Sequence, residues 1–205
     1  YLVDTNFLGQ MASVYPKDVF PSLWMEMETS LFSPEIYFHV EVHNEMKKWA
    51  HPTLNWYLNH LQPSQILHPD EEEVDAYKEV TDWAVNKRVP GYSQAATDEF
   101  VDIADAWLVA SAYRHDATVV TNEVPAPQGT RKVKIPDAAA AFNVPCINTL
   151  EFFESQGQRV DAMSVAEVPS FVEENFDGAD AATLAYVTAT PTGFFPAGQI
   201  GLHVA

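Results

Sequence analysis

Four acidic residues flank the short apolar segments of this 205-residue chain. Asp4 follows YLV, Glu45 lies in a helical segment after a second apolar run, Asp105 lies near the start of a later helical segment, and Glu123 follows TVVT. Mg²⁺ and Mn²⁺ bind carboxylate oxygens and water, with substrate phosphate completing the shell. Crowded carboxylates raise one another's pKa, so keeping all of them ionised at neutral pH implies a bound cation. We expect all four to be metal ligands and catalytic groups, with one or two divalent ions activating a water for in-line attack on a phosphate ester.

The segments between these acids alternate between short apolar runs and amphipathic stretches. The predicted strands cover residues 1–5, 36–40, 117–121 and 145–148. The predicted helices cover residues 21–32, 41–49, 54–61, 70–88, 102–115, 137–142 and 150–154, with a loop at 90–97 and a short extended piece at 131–135. This alternation predicts an α/β fold with a mostly parallel central sheet in a three-layer α/β/α arrangement. Ligands of such sheets bind beyond the carboxyl ends of the strands, where the strand order reverses, so the four acids could converge there.

Each acid also has an ordinary structural interpretation. Asp4 could cap the turn after a strand, and Asp105 could be an N-terminal helix acid favoured by the helix dipole. Glu45 could be a solvated helix acid, with Glu41 one turn earlier as a competing candidate. Glu123 could be a loop acid in solvent. The functional interpretation therefore requires the four side chains to meet in one pocket.

Three charged residues near these acids are weaker candidates. Asp102 precedes Asp105 by three residues and would share its face of a single helix, which makes it a candidate accessory acid. Lys132 and Lys134 alternate with apolar residues like a strand with one solvated face. They are either solubilising residues or cations that steer a phosphate-bearing substrate.

The overall charge argues against a nucleic-acid-binding protein. The net charge is −18 and the pI is about 4.5, whereas such proteins usually present a basic face. This objection weakens because seven of the eleven basic residues are clustered. They are Lys47, Lys48, Lys87, Arg88, Arg131, Lys132 and Lys134.

The remaining composition favours a cytoplasmic location. The single cysteine, Cys146, cannot form an internal disulfide, and its apolar setting predicts a buried, inert thiol. No apolar run approaches the roughly 18 residues that span a membrane, and no signal peptide begins the chain. The tryptophans fall at helical positions and are predicted to pack in the core rather than stack on bases. They are Trp24, Trp49, Trp56, Trp83 and Trp107.

The composition changes near residue 155. Ala, Thr, Gly and Pro become abundant, and acids outnumber bases. We therefore divide the chain into a domain at residues 1–155 and an acidic C-terminal extension of unknown structure at 156–205, with a predicted helix at 164–176.

Four segments of the first domain resemble those of PIN-domain proteins, in the same order. They are LVDTN at 2–6, VHNEM at 42–46, ADAWLVASA at 104–112 and TVVTNE at 118–123. The chain is especially similar to an uncharacterised PIN-like branch with VTNE or VTHE before a KIPD segment, here residues 134–137. The resemblance implies a PIN-like fold and Mg²⁺- or Mn²⁺-dependent RNA cleavage. PIN domains include the toxin ribonucleases of bacterial toxin–antitoxin pairs, which implies an antitoxin partner and a homodimer.

The same resemblance assigns roles to individual residues. Most of the family has Asp at the fourth acidic position, where this chain has the longer Glu123, so the number of metal ions is left open at one or two. With RNA as the substrate, the steering role considered above for Lys132 and Lys134 would act on its phosphates. The family's four acids correspond to Asp4, Glu45, Asp105 and Glu123, and its supporting polar positions to Asn6 and Thr121.

Two other functions compete with a ribonuclease. A PIN-like scaffold that is catalytically weak or inactive could act as a protein-binding module, as the acidic surface, the Glu-for-Asp change and the extension suggest. A phosphatase or phospho-acceptor domain also places an Asp after its first strand. The phosphatase requires a second Asp where this chain has Asn6, which disfavours it.

Overall fold

The structure of the chain is a computed structural model that describes residues 1–157. Two-residue strands form the sheet: β1 (Leu2–Val3), β2 (Phe38–His39), β3 (Ile66–Leu67), β4 (Val119–Val120) and β5 (Cys146–Ile147). The α-helices are α1 (Thr5–Val14), α2 (Pro21–Leu31), α3 (Val40–Met46), α4 (Pro52–His60), α5 (Glu71–Asp82), α6 (Gln94–Asp102), α7 (Ala104–Arg114), α8 (Ile135–Ala141) and α9 (Thr149–Ser155). A 3₁₀ turn spans Pro63–Gln65, and a π-helical turn at Trp83–Lys87 continues α5.

The sheet is parallel and reverses its strand order at β1. β1 pairs with β4, β4 with β5, and β2 with β3, all in parallel. A parallel bridge between Leu2 and Tyr37 joins β2 to β1, so the strands run in the order β3-β2-β1-β4-β5. The chain moves outward on one side from β1 to β3 and then returns to β4 on the other side of β1. The crevice between β1 and β4 is therefore the expected ligand site of this sheet.

The helices pack on the two faces of the sheet, which confirms the three-layer α/β/α class. Right-handed crossovers assign the helices after β1 and β2 to one face and the helices after β3 and β4 to the other. In agreement, α1 contacts α3, whereas α5, α6 and α8 all contact α7. α3 and α7 are also in contact, and a hydrogen bond from the Ala104 amide to Glu45 joins them. Small residues of α7, such as Ala106 and Ala110, are fully buried, so the helix packs closely against its neighbours.

A fully buried carboxylate lies between two histidines in the α5–α7 layer. Glu73 and His39 are both completely inaccessible, with 3.0 Å between Glu73 Oε1 and His39 Nε2. The other oxygen, Oε2, lies 3.4 Å from Nε2 of the half-exposed His115. The His39 ring stacks on Trp107 at a centroid distance of 5.5 Å. Burying this carboxylate away from water is tolerable only because of such partners.

Two predictions around residue 100 are wrong. The predicted loop at 90–97 is partly helical because the Ser93 hydroxyl accepts a hydrogen bond from the Ala96 amide and starts α6. The predicted helix at 102–115 is interrupted because Ile103 is extended, at φ −108° and ψ 174°, which gives α7 its own N-terminus.

Three other segments differ from their predictions. Within residues 1–157, the segment at 131–135 pairs with no strand. Its apolar residues Val133 and Ile135 are buried, and Ile135 begins α8. Neither α1 nor β3 is predicted by the sequence pattern. The C-terminal extension beyond residue 157, including the predicted helix at 164–176, lies outside the described residues.

None of the helices in the described part of the chain is both long and apolar enough to cross a membrane.

Candidate functional site

A hydrogen-bond network fixes Asp4 at the crevice between β1 and β4. Asp4 follows β1 and is 5% exposed. Its Oδ2 accepts a hydrogen bond from the Thr121 hydroxyl at 2.7 Å, and its Oδ1 accepts one from the Asn6 amide at 3.4 Å, which caps α1. The Asn6 side chain donates to the same Thr121 hydroxyl at 3.1 Å and accepts from the Asn122 amide. The strand ends thus hold the carboxylate in one orientation.

Glu45 joins this site from α3 and caps α7 from outside that helix. Its Oε2 accepts a hydrogen bond from the Thr5 hydroxyl at 2.9 Å, and its Oε1 accepts one from the Ala104 amide at 3.2 Å. Ile103, the N-cap residue of α7, supplies no side-chain cap of its own. The extended Ile103 therefore leaves an amide that Glu45 satisfies.

Asp105 lies in the first turn of α7 and is the most electrostatically strained acid of the site. Burial raises its pKa to about 8, assisted by the negative charges of Asp4 and Glu123 and opposed by Lys132. Burial also raises the pKa of Asp4 to about 6, against the lowering effect of its hydrogen bonds to Thr121 and Asn6. Such shifts are expected where burial and neighbouring negative charges both disfavour an ionised carboxylate.

The carboxylate of Glu123 forms ion pairs with two lysines. Its Oε1 lies 2.9 Å from Lys134 Nζ and 3.3 Å from Lys132 Nζ, and its Oε2 accepts a hydrogen bond from the Ile135 amide at 2.8 Å. Burial would raise the pKa of Glu123, but these hydrogen bonds and charges outweigh it and lower the pKa.

All four predicted acids line one pocket of about 260 Å³. Asn6 and Lys132 line it as well, and the supporting Thr121 lies directly beneath Asp4. Lys134 lines an adjoining pocket of about 510 Å³, which shares Asn6, Gly9 and Glu123 with the first. Acids spaced over 120 positions of sequence are thereby brought together.

The predicted accessory role of Asp102 is not supported by its position. Asp102 is exposed at the end of α6 and does not line the pocket. The prediction assumed that Asp102 and Asp105 share one helix, but the extended Ile103 separates them.

Several pocket residues have no signal in the sequence. Thr5 supports Glu45, and Gly9 and Trp49 line the pocket together. A Cβ on Gly9 would meet the Trp49 indole at 3.2 Å, so glycine keeps the space open between α1 and this ring. Trp49 is half-buried, not a core residue as its helical position predicts, whereas Trp24 is buried as predicted.

Cys146 has the predicted inert chemistry, although it is only half-buried. Burial raises the pKa of its thiol to about 11, and the nearby charge of Asp4 adds to this effect. The thiol is therefore protonated at neutral pH and is a poor nucleophile.

The donor set suits a hard divalent cation that keeps part of its water shell. Within residues 1–157, no three His, Cys, Asp or Glu side chains form a preassembled metal site. Mg²⁺ is usually held by one or two carboxylates together with waters and substrate phosphate, so a preassembled cage is not required. Asp4 and Asp105, whose pKa values are raised by burial and by the charges of neighbouring carboxylates, would gain most from a cation.

Comparison with protein families places the chain in a group without an assigned role. Residues 1–160 match the family described as "Domain of unknown function (DUF4411)". The chain belongs to this family. No curated protein matches this DUF4411 member. Among solved structures, it is similar to the crystal structure of FitAcB from Neisseria gonorrhoeae, with a TM-score of 0.41 and 18% identity over 72% of this chain and 96% of that chain.

Proposed function

We propose that this DUF4411 protein is a Mg²⁺- or Mn²⁺-dependent endoribonuclease. The observation that carries the proposal is the convergence of Asp4, Glu45, Asp105 and Glu123 in one pocket at the reversal point of a parallel sheet. The raised pKa values of Asp4 and Asp105 support it, since strongly perturbed carboxylates in a cleft are candidates for a functional site. The PIN-like motifs that carry the same four acids suggest RNA as the substrate.

The residues of the pocket have distinct roles in this proposal. Asp4 and Asp105 would hold the cation, and Thr121 keeps Asp4 oriented and favours its ionised form. When bound, the cation would supply an activated water and offset charge on the phosphate. Lys132, on the same pocket, would bind a phosphate oxygen. Trp49 offers an aromatic ring there, and such rings stack on unpaired bases.

The proposal is tested with the full chain and a labelled single-stranded RNA. We expect cleavage with Mn²⁺ or Mg²⁺ and none in EDTA. Asp4→Asn and Asp105→Asn should each reduce cleavage by at least about 100-fold, the scale expected for groups that bind a catalytic cation. Asp98→Asn serves as the matched control because Asp98 is exposed on α6 away from the pocket. Full activity of both pocket variants would contradict the proposal.

A toxin role is the narrower form of the same proposal. PIN-domain toxins are neutralised by small antitoxin proteins, so expression of the active chain should arrest growth, and a co-expressed partner should relieve the arrest. A homodimer is proposed on the same resemblance and is checked by light scattering. Growth arrest that persists in the Asp4→Asn variant would exclude cleavage as its cause.

A catalytically weak scaffold that binds another protein is the second candidate. The ion pairs of Glu123 with Lys132 and Lys134 favour it, because they occupy one of the four acids. Calorimetry separates the two candidates. A chain that binds no divalent ion at millimolar concentration would be the scaffold and not the nuclease.

A further inference from the structure

The carboxylate of Glu123 already has cationic partners in this chain. Lys134 and Lys132 both contact Oε1, and the Ile135 amide donates to Oε2. The Glu123 side chain is only 10% exposed, whereas the side chains of Lys134 and Lys132 are 28% and 44% exposed. A metal ion bound to this carboxylate would lie beside two ammonium groups.

The other three acids of the pocket differ from Glu123 in this respect. Within the described part of the chain, Asp4, Glu45 and Asp105 form no ion pair, and the hydrogen bonds of Asp4 and Glu45 come from neutral hydroxyl and amide groups. The positive charge of Lys132 acts on Asp105 by lowering its pKa, against the larger raising effect of burial. The negative charge of Glu123 is thus balanced by lysines, whereas the negative charges of the other three acids are not balanced by an ion pair.

The formal charges of the site match one divalent ion. When a bound cation keeps all four carboxylates ionised, they and the two ammonium groups of Lys132 and Lys134 leave two negative charges. One Mg²⁺ or Mn²⁺ ion balances them. A second ion would bring its positive charge next to two lysines, which opposes binding in a partly buried site.

We propose that Lys132 and Lys134 take the place of a second metal ion. The site then binds a single divalent ion on the side of Asp4 and Asp105, and Glu123 positions the two ammonium groups instead of ligating metal. Lys132 acts as the second positive charge that faces the substrate phosphate. This inference rests on the proposed nuclease function and specifies its cation requirement.

Metal stoichiometry tests the inference without an activity assay. The full chain is titrated with Mn²⁺, and bound ions are counted by calorimetry and by the loss of the free-ion paramagnetic resonance signal. We expect one ion per wild-type chain and two per Lys132→Met/Lys134→Met chain. Adding Glu123→Gln to that double variant should restore a count of one, because the second ion would depend on the freed carboxylate. In the wild-type background, Glu123→Gln should change the affinity of the first ion by less than about threefold, whereas Asp4→Asn should weaken it by more than about tenfold.

A matched control distinguishes the loss of the two lysine partners of Glu123 from a change in the net charge of the chain. Lys48→Met/Arg131→Met removes two positive charges from exposed side chains that do not contact Glu123. This control should still bind one ion. If Lys132→Met/Lys134→Met proves unstable, the glutamine pair Lys132→Gln/Lys134→Gln makes the same test with polar side chains.

The outcomes also separate this inference from the proposed function. Two ions in the wild-type chain, or one ion in the double methionine variant, would overturn the inference while leaving an Asp4-dependent nuclease intact. No bound ion in any variant would remove the metal-dependent nuclease and the inference together. Lys132→Arg/Lys134→Arg should retain a count of one, since positive charge and not lysine itself sets the stoichiometry.

Discussion

Asp4 is held in a balance between burial and hydrogen bonding. Burial raises its pKa to about 6, and the hydrogen bonds from Thr121 and the Asn6 amide keep the rise from being larger. Thr121 is 3% exposed, and its hydroxyl also accepts a hydrogen bond from the Asn6 side chain. This one hydroxyl therefore contributes both to the orientation of the carboxylate and to its ionisation.

Replacing this hydroxyl should change the pH dependence of metal binding. Thr121→Val keeps the shape of the side chain but removes the donor to Asp4, so the pKa of Asp4 should rise further. The midpoint of Mn²⁺ affinity against pH should move upward by roughly one to two units, since a hydrogen bond to a charged group contributes about 1.5–3 kcal/mol. Thr121→Ser retains the donor and should keep the wild-type profile. Identical midpoints for the valine and serine variants would show that the hydroxyl does not tune Asp4.

The sequence patterns predict which acids form the site, but they do not predict which residues surround those acids. Asp4 and Glu123 stand out because each follows a buried strand, and strand ends of a parallel sheet share one edge. The ion pairs of Glu123 cannot be read in the same way, because Lys132 and Lys134 reach it through the fold of the 124–134 connection. The position of Trp49 in the pocket is not predictable from sequence either, since its helical spacing is that of a core residue.

At the scale of the helices, Glu45 links two elements that are distant in sequence. It extends from α3 to the first amide of α7, the helix that carries Asp105. A carboxylate at a helix N-terminus is also favoured by the helix dipole. Glu45 thus has a structural role beside its proposed catalytic one.

The two roles of Glu45 should be separable by substitution. Glu45→Ala leaves the Ala104 amide without its acceptor and should lower the free energy of unfolding by about 1–2 kcal/mol. Glu45→Gln retains an oxygen acceptor and should cost less than about 1 kcal/mol, while RNA cleavage falls strongly in both variants. Urea denaturation and cleavage assays measure the two effects. An equal loss of stability in both variants would contradict the capping role.

The buried Glu73 should contribute more to stability than any exposed acid of α5. Glu73→Ala removes the partner of His39 and His115 from an inaccessible position and leaves a cavity, so the free energy of unfolding should fall by about 3–5 kcal/mol. Glu71→Ala, in the same helical turn but exposed, should change it by less than about 0.5 kcal/mol. Chemical denaturation compares the two. A mild Glu73→Ala effect would mean that the two histidines do not depend on this carboxylate.

Boundaries between helices are the least predictable features of this fold. The break at Ile103 involves neither proline nor glycine, and it depends on an acceptor supplied by Glu45, 59 residues away along the chain. Ser93, by contrast, is a typical N-cap residue, and the start of α6 could have been predicted from it. Local capping signals are readable in sequence, whereas a cap supplied by another helix is not.

At the scale of the whole molecule, the site acids should make stability depend on pH and on divalent cations. The pKa values of Asp4 and Asp105 are raised to about 6 and about 8 in the folded chain. Groups with raised folded-state pKa values stabilise the fold at low pH and lose this contribution as pH rises through those values. In EDTA, the melting temperature should therefore fall between about pH 5 and pH 8.5, and Mn²⁺ should restore it most strongly at the upper end.

Substitutions distinguish the effect of the site acids on the pH dependence of stability from the effect of the large net charge of the chain. A net charge of −18 produces general repulsion as carboxylates ionise, in the same direction as the effect of the site. Asp105→Asn should flatten the decline of melting temperature with pH, whereas Asp98→Asn should leave its slope unchanged. A wild-type melting temperature that is constant or rises over this range in EDTA would refute the prediction.

The fold class follows from the sequence more directly than the strand order does. Alternating apolar runs and amphipathic segments predict a parallel sheet between helices, and the structure agrees. The position of β3 does not follow, because Ile66 and Leu67 are only half-buried and follow a 3₁₀ turn without a longer apolar run. The reversal of strand order at β1 arises because the β2 segment and β4 lie on opposite sides of β1, and a local sequence pattern does not specify that pairing, so the crevice could be expected but not located.

The register between β1 and β4 restricts where the length of the chain can change during evolution. Leu2 lies opposite Val119 and Val3 opposite Val120, which makes Asp4 and Thr121 the next partners along the ladder. One residue inserted between Val120 and Thr121 would turn the hydroxyl to the opposite face of the sheet. Homologues that keep this chemistry should therefore vary in length within connections such as 124–130, and never between a strand and the polar residue that follows it.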